Sequence, residues 1–164
     1  MTLKPIALFA KVLGLALCLQ ATAGFAMSDL WGNPSQINRF VGKGKWTVIK
    51  VWKSDCGICM STMHETNAAR NIIPNTHVIG VSLDGDAKIA NKSLRPLNVS
   101  FRNFVADRNE FNRYIGKSTR RNIVGYPTYL IYSPRGKLKA MQTGDVKPYE
   151  LGQYISSQAK LQGS

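Results

Sequence analysis

Strand-like and helix-like segments alternate along the chain, a hairpin signal follows, and a helix closes it; together they predict an α/β domain with a mixed central sheet and helices on both faces. Apolar runs at 46–52 and 77–83 are each followed by residues of helical spacing. Ser133-Pro134-Arg135-Gly136 separates two strand-like runs at 128–132 and 137–143. Pro148 then opens a segment in which Leu151, Tyr154, Ile155 and Leu161 form an apolar stripe.

The first 26 residues stand outside that domain. Lys4 and Lys11 supply positive charge, Val12 to Leu19 is a short apolar core, and Ala21-Thr22-Ala23 is the small-x-small pattern of a cleaved export signal. The expectation is a signal peptide over 1–23, with cleavage after Ala26 as the alternative, and a single domain over 24–164. The apolar run is shorter than the roughly 18 residues of a spanning helix, so an uncleaved segment tethering the protein to the inner membrane is the second reading. Leu17 precedes Cys18 where a lipid-attachment signal has a small residue, so Cys18 is read as part of the discarded core. A mature chain of 141 residues suits one domain that buries roughly two thirds of its unfolded surface.

Within the domain, Asn33-Pro34 resembles an N-cap and a first-turn proline, and Trp31, Ile37, Phe40 and Val41 predict a short helix ending at Gly42. A strand follows at 46–52, then a helix over 56–72 before Pro74. The second strand at 77–83 leads through Asp84 and Asp86, both read as capping residues, into a helix at 87–94. A short strand at 101–106 precedes Asp107, which caps a helix with Phe111, Tyr114 and Ile115 on one face and Gly116 at its end.

Chemistry concentrates at Cys56-Gly57-Ile58-Cys59, where the strand 46–52 passes into a helix. A C-x-x-C at such a junction makes and breaks disulfides, because the helix start offers unpaired N–H groups and a partial positive charge to the first sulfur. Cys56 is therefore the expected nucleophile. Cys59, nearly one turn on, is close enough to form the intramolecular disulfide and is the expected resolving thiol. Once the leader is gone these are the sole cysteines, and so short a loop adds little as a structural staple.

The formal charge of +13 falls to +11 without Lys4 and Lys11, favouring acidic partners, anionic membranes or nucleic acid. The basic residues are dispersed and accompany no nucleic-acid motif, so a solvated surface is expected. Cys56, Cys59, His64 and His77 superficially resemble a metal set. Helical spacing, however, puts His64 about 12 Å from Cys56 along the axis, too far for one tetrahedral ion. Neither metal nor cofactor is expected.

With these residues in place, the chain resembles thioredoxin-fold proteins, and within them the exported TlpA/ResA-like (DsbE/CcmG-like) thiol-disulfide oxidoreductases. The resemblance covers about residues 42–161. It rests on Val51-Trp52-Lys53-Ser54-Asp55-Cys56-Gly57-Ile58-Cys59, then Val124-Gly125-Tyr126-Pro127-Thr128, then the Ser133 to Gly136 hairpin, in that order. Residues 84–105 are similar to the central strand-helix insertion of the TlpA-like branch. The resemblance implies a cis proline at Pro127 beside the two sulfurs, with Tyr126 and Pro127 binding a substrate strand by backbone pairing. Ile58 adds an apolar contact at the rim.

Two positions with charge depart from the common pattern. Asp55 stands where many members have tryptophan, and its charge beside Cys56 opposes thiolate formation. Lys53 and the basic segment 117–121 act in the opposite sense. Lys50 occupies the place of the buried acid of thioredoxins. Its expected course is along the sheet and out to solvent, the alternative being a partly buried amine of lowered pKa that serves Cys59 as a base.

The function expected from the sequence is an exported, periplasmic, monomeric oxidoreductase that reduces or exchanges disulfides of exported cysteine-containing proteins. The resemblance implies a membrane electron donor of the DsbD or CcdA type. A disulfide oxidant or isomerase, and a thioredoxin-fold binding module of an envelope or secretion assembly, are the competing readings.

Overall fold

A computed structural model describes residues 27–163; the expected signal peptide lies outside the described residues. In chain order the domain comprises β1 (Met27–Asp29), β2 (Pro34–Ser35), β3 (Trp46–Trp52), α1 (Gly57–Ser61), α2 (Met63–Ile72), β4 (Thr76–Ser82), α3 (Ala87–Leu94), β5 (Arg102–Val105), α4 (Arg108–Gly116), β6 (Thr128–Tyr132), β7 (Leu138–Thr143) and α5 (Pro148–Gly163). Among the described residues, no helix is long and apolar enough to cross a membrane.

The strands form one sheet in the order β2-β1-β5-β4-β3-β6-β7. β3, β4 and β5 run parallel, while β6 and β7 turn back antiparallel beside β3. Strand alternation sorts the side chains into two layers. Ile49 and Val51 pack with Ile79, Val81, Phe104, Leu130 and the α4 residues Phe111 and Ile115. Their neighbours face the other way, Val48 toward Ala69, Leu151 and Ile155 of α2 and α5, and Trp52 toward Cys59, Met63, Ala90 and Leu94. This is the mixed sheet covered on both faces that the alternation predicts, and it is the thioredoxin fold.

The expected opening helix is replaced by other structure. Pro34 does not open a helix; it begins the two-residue β2, which pairs with β1, and β1 in turn pairs with β5. The helical spacing through Phe40 yields a single 3-10 turn, Ile37–Arg39. Asn33 is already committed, because its backbone and side-chain N–H groups donate to the Asp29 carboxylate, which also accepts from Trp31. That side chain closes a hairpin rather than capping a helix.

Inside the sheet, Gly80 and Asn103 form a close backbone approach. A Cβ on Gly80 would run into the Asn103 side chain. The space instead lets Asn103 accept a hydrogen bond from the Trp52 indole at 3.0 Å and donate to the Phe101 carbonyl at 3.0 Å. Trp52, fully buried, is thereby fixed immediately before the cysteine loop.

Candidate active site at the end of β3

The Cys56 to Cys59 segment forms as its residue types dictate. Cys56 is the N-cap of α1, with extended backbone angles, and its Sγ accepts the Cys59 N–H at 3.2 Å. The two cysteines form a disulfide with a Cα–Cα separation of 5.2 Å. Cys56 is half-buried and Cys59 fully buried. One sulfur thus has access to a partner, and the other is reached through it.

The expected helix over 56–72 is broken in two at Thr62, whose φ of −102° and ψ of 13° leave the helical region. The Thr62 hydroxyl donates to the Ile58 carbonyl at 2.7 Å and so competes with the helix ladder. The break sets the first turn at its own angle above β3.

Lys50 does not reach solvent: it is 0% exposed. It shares its parity with Val48 and Trp52, so its side chain rises from the sheet face that α1 and α2 cover. Nζ donates to Thr62 Oγ1 at 2.8 Å, to Thr66 Oγ1 at 3.1 Å and to the Cys59 carbonyl at 3.3 Å. Burial pushes its pKa down to about 8, a shift partly offset by the carboxylates of Asp145 and Glu65. The long stem that a lysine could extend to water is trapped here because β3 is an interior strand roofed by the helix.

Asp55 is exposed and forms an ion pair with Lys53 at 3.1 Å, which draws its charge away from Cys56. That bond holds the Lys53 ammonium above its ordinary pKa. The start of the basic segment 117–121 lies toward the far end of β3 from the sulfurs. Ser118 lies beside the Tyr132 hydroxyl, and Tyr132 pairs with Thr47, at the opposite end of β3 from Trp52. Nor are both predicted caps caps. Asp86 caps α3, accepting from the N–H groups of Lys88 and Ile89, but Asp84 accepts from the Ser54 N–H and hydroxyl and from the Ser82 hydroxyl. Asp84 clamps the loop that delivers Cys56.

The segment before β6 arrives from across the fold. The Tyr126–Pro127 peptide is cis. Tyr126, half-buried, packs in the cluster that contains Cys56, Cys59 and Trp52, and the Arg108 guanidinium lies 5.4 Å from the centroid of its ring. Ile58 and Val124 stand out to solvent, 49% and 80% exposed. Of the histidines, His64 is largely exposed and His77 packs edge-on against Phe40, which leaves its pKa lowered by burial. Among the described residues no three His, Cys, Asp or Glu side chains gather as a metal-binding group.

Sequence reasoning missed Thr62, Thr66 and Arg108, and gave Asp84 a different role. The threonines were within reach of it: Cys59, Thr62 and Thr66 follow at spacings of three and four and so share one helix face.

The arrangement has counterparts. The model of the AhpC/TSA family matches residues 19–141. No curated protein is similar enough in sequence to match. Among solved structures, a secreted disulfide oxidoreductase of Mycobacterium tuberculosis homologous to E. coli DsbE is 19% identical, with 81% of this chain and 95% of that chain covered at a TM-score of 0.63. The exposed lipoprotein thioredoxin Etrx1 of Streptococcus pneumoniae is 18% identical over 81% and 98% of the two chains, with a TM-score of 0.65. StoA of Bacillus subtilis is 15% identical over 80% and 95%, with a TM-score of 0.60. At these identities the likeness is one of fold.

Proposed function

Because the chain belongs to the AhpC/TSA family, we propose that it is an exported thiol-disulfide oxidoreductase that reduces or exchanges disulfides of exported proteins through the Cys56/Cys59 couple. The observation that carries this reading is the asymmetric disulfide at a helix start: Cys56 accessible and hydrogen-bonded by the Cys59 N–H, Cys59 enclosed.

In the reducing direction the Cys56 thiolate attacks one sulfur of a substrate disulfide. The S–S bond breaks, one substrate sulfur leaves as a thiolate, and a mixed disulfide links Cys56 to the other. Cys59 loses its proton and attacks Cys56 Sγ. The second substrate thiolate leaves, and two electrons have passed from the dithiol to the substrate. The Cys56–Cys59 disulfide that results is the state of this structure. Tyr126, Pro127 and Ile58 bind the polypeptide flanking the substrate cysteine, and a membrane donor of the DsbD or CcdA type returns the two electrons.

Export is supported by the basic, apolar and small-x-small pattern of residues 1–23. The reaction is tested by reduction of insulin disulfides with a dithiol as electron source. Wild type is expected to accelerate precipitation of the insulin chains, and Cys56→Ala/Cys59→Ala to have no effect; equal acceleration by both proteins would remove the proposal. Export is tested separately by the N-terminus of the protein recovered from the periplasm.

A further inference from the structure

We propose that Lys50 is the counter-charge of this dithiol, an ammonium buried beneath the cysteine pair that stabilises the thiolate of the reduced form. The inference rests on the exchange reaction proposed above and concerns how far that couple lies toward oxidation.

The hydrogen bonds carry the assignment. The Thr62 hydroxyl spends its hydrogen on the Ile58 carbonyl at 2.7 Å, and the Thr66 hydroxyl spends its own on the Thr62 carbonyl at 3.2 Å. Both therefore present lone pairs to Nζ, as does the Cys59 carbonyl. Three acceptors meet the three donors of an ammonium, whereas a neutral amine would leave one acceptor without a hydrogen. The cavity is thus built for the charged form.

The groups that face this charge are few. From α1 comes the Cys59 carbonyl, 3.3 Å from Nζ, from α2 Glu65, and from β6 Tyr129, whose ring centroid is 5.9 Å from Nζ. The loop after β7 contributes Asp145, and Lys147 bridges Asp145 and Glu65 at 2.7 and 2.9 Å. On β4 the neighbouring position is Gly80, which carries no side chain. The two carboxylates are thus already engaged by a second cation. Reduction of the disulfide adds negative charge on the α1 side, and Lys50 is the buried cation under that turn.

An acid and a lysine in this place act with opposite sign. A buried carboxylate opposes a thiolate above it, but an ammonium favours one, so the couple becomes more oxidising than the same site without the charge. The added thiolate also makes Lys50 hold its proton more firmly in the reduced form than in the disulfide form, where its pKa is about 8. Above that pH, reduction takes up one extra proton. Deprotonation of a cysteine flattens the dependence of potential on pH, whereas this uptake steepens it.

The reduction potentials of wild type and Lys50→Met, each equilibrated with glutathione redox buffers between pH 6.5 and 9.5, test the proposal. At pH 7 the wild-type equilibrium is expected to favour the dithiol by about tenfold more than the variant's. Above pH about 8 that gap is expected to close by up to tenfold per pH unit, which is about 30 mV for a two-electron couple. Equal potentials, or a gap that does not change with pH, would overturn the role of Lys50 while leaving the exchange reaction standing. Should Lys50→Met not fold, the wild-type profile alone decides: steepening above pH 8 supports the proposal, and a slope that stays constant or only flattens overturns it. A wild-type protein that never equilibrates with glutathione would instead remove the exchange reaction, and this inference with it.

Discussion

The backbone N–H of Cys59 points at the sulfur of Cys56 from 3.2 Å. This bond within one turn joins the proposed nucleophile to the proposed resolving residue, and the same amide, capped by the sulfur, is placed to hold a thiolate on Cys56 when the disulfide opens. Cys59, fully buried, has no comparable access to reagents. In the reduced protein, Cys56 is expected to react with iodoacetamide at least about tenfold faster than Cys59, with an apparent pKa below the ~8.5 of an ordinary thiol. Peptide mapping after timed alkylation across pH 5 to 9 measures both; equal rates at the two cysteines would contradict the assignment.

Burial of Lys50 links stability to pH in the disulfide form. Its folded pKa, about 8, lies below the unfolded value of 10.5, so between these the unfolded chain binds more protons and stability rises with pH. The cost of the buried charge is fully present below pH 8. It is of the order of 3 kcal/mol from a shift of this size. Tyr129 and Tyr132, whose pKa values burial raises, act in the opposite sense from about pH 10 upward. Urea unfolding of the oxidised protein is therefore expected to show a rise in stability from pH 8 to pH 10 that Lys50→Met lacks. A fall over that interval in wild type would contradict it.

Much of this is legible in the sequence itself. The strand 46–52, the helix 87–94 and the strand 128–132 stand where the periodicity puts them, because interior strands and well-capped helices carry their signals locally. The opening segment did not yield to the same reading: Asn33 and Pro34 offer a helix start, but the side chain of Asp29, four residues earlier, takes up the Asn33 donors. Lys50 was misplaced for a related reason. A lysine is ordinarily solvated, and only the pairing of β3 on both edges, with α2 above it, shows that its stem has no route outward. Parity with Val48 and Trp52 fixes the face its side chain shares, but not whether a helix roofs that face. The meeting of the two sequence motifs was legible, since Tyr126 does join the cysteine cluster, whereas the clamp from Asp84 was hidden by its resemblance to an ordinary cap.

Asp84 reaches across 30 residues of sequence to hold Ser54, two residues before Cys56. Asp84→Ala is expected to cost about 1 to 3 kcal/mol, because it leaves part-buried donors without their charged acceptor. Loosening that loop is also expected to slow the reaction with insulin more than it lowers the unfolding midpoint would suggest. Chemical denaturation and the insulin rate, taken together, check this; an unchanged rate and midpoint would show that the clamp is idle.

Trp52 and Asn103 make a second long-range bond, 51 residues apart and buried at both ends. Asn103→Leu is expected to destabilise the fold by about 2 kcal/mol by stranding the indole N–H. Gly80→Ala, which drives a methyl into the same amide, is expected to destabilise as well. Because both act on one bond, the double variant is expected to fall short of the sum of the two, measurable as a coupling in urea unfolding. Strict additivity would contradict a shared origin.

Ile58, half exposed on the first turn of α1, is the proposed apolar contact for a polypeptide substrate, one that a small disulfide would not need. Ile58→Asp is expected to raise KM for insulin several-fold and to leave the rate with oxidised glutathione within about twofold, since a lost apolar contact is worth roughly 1 to 3 kcal/mol. Equal loss toward both substrates would place Ile58 in support of the cysteine turn rather than in substrate binding.

The central claim is that Cys56 attacks and Cys59 resolves. It is tested most directly by expressing Cys59→Ala in cells, quenching thiols with acid and identifying disulfide-linked partners by mass spectrometry. The account predicts adducts joined through Cys56 in the Cys59→Ala protein and none in the Cys56→Ala protein. Adducts through Cys59 in the Cys56→Ala protein, with none through Cys56, would contradict it.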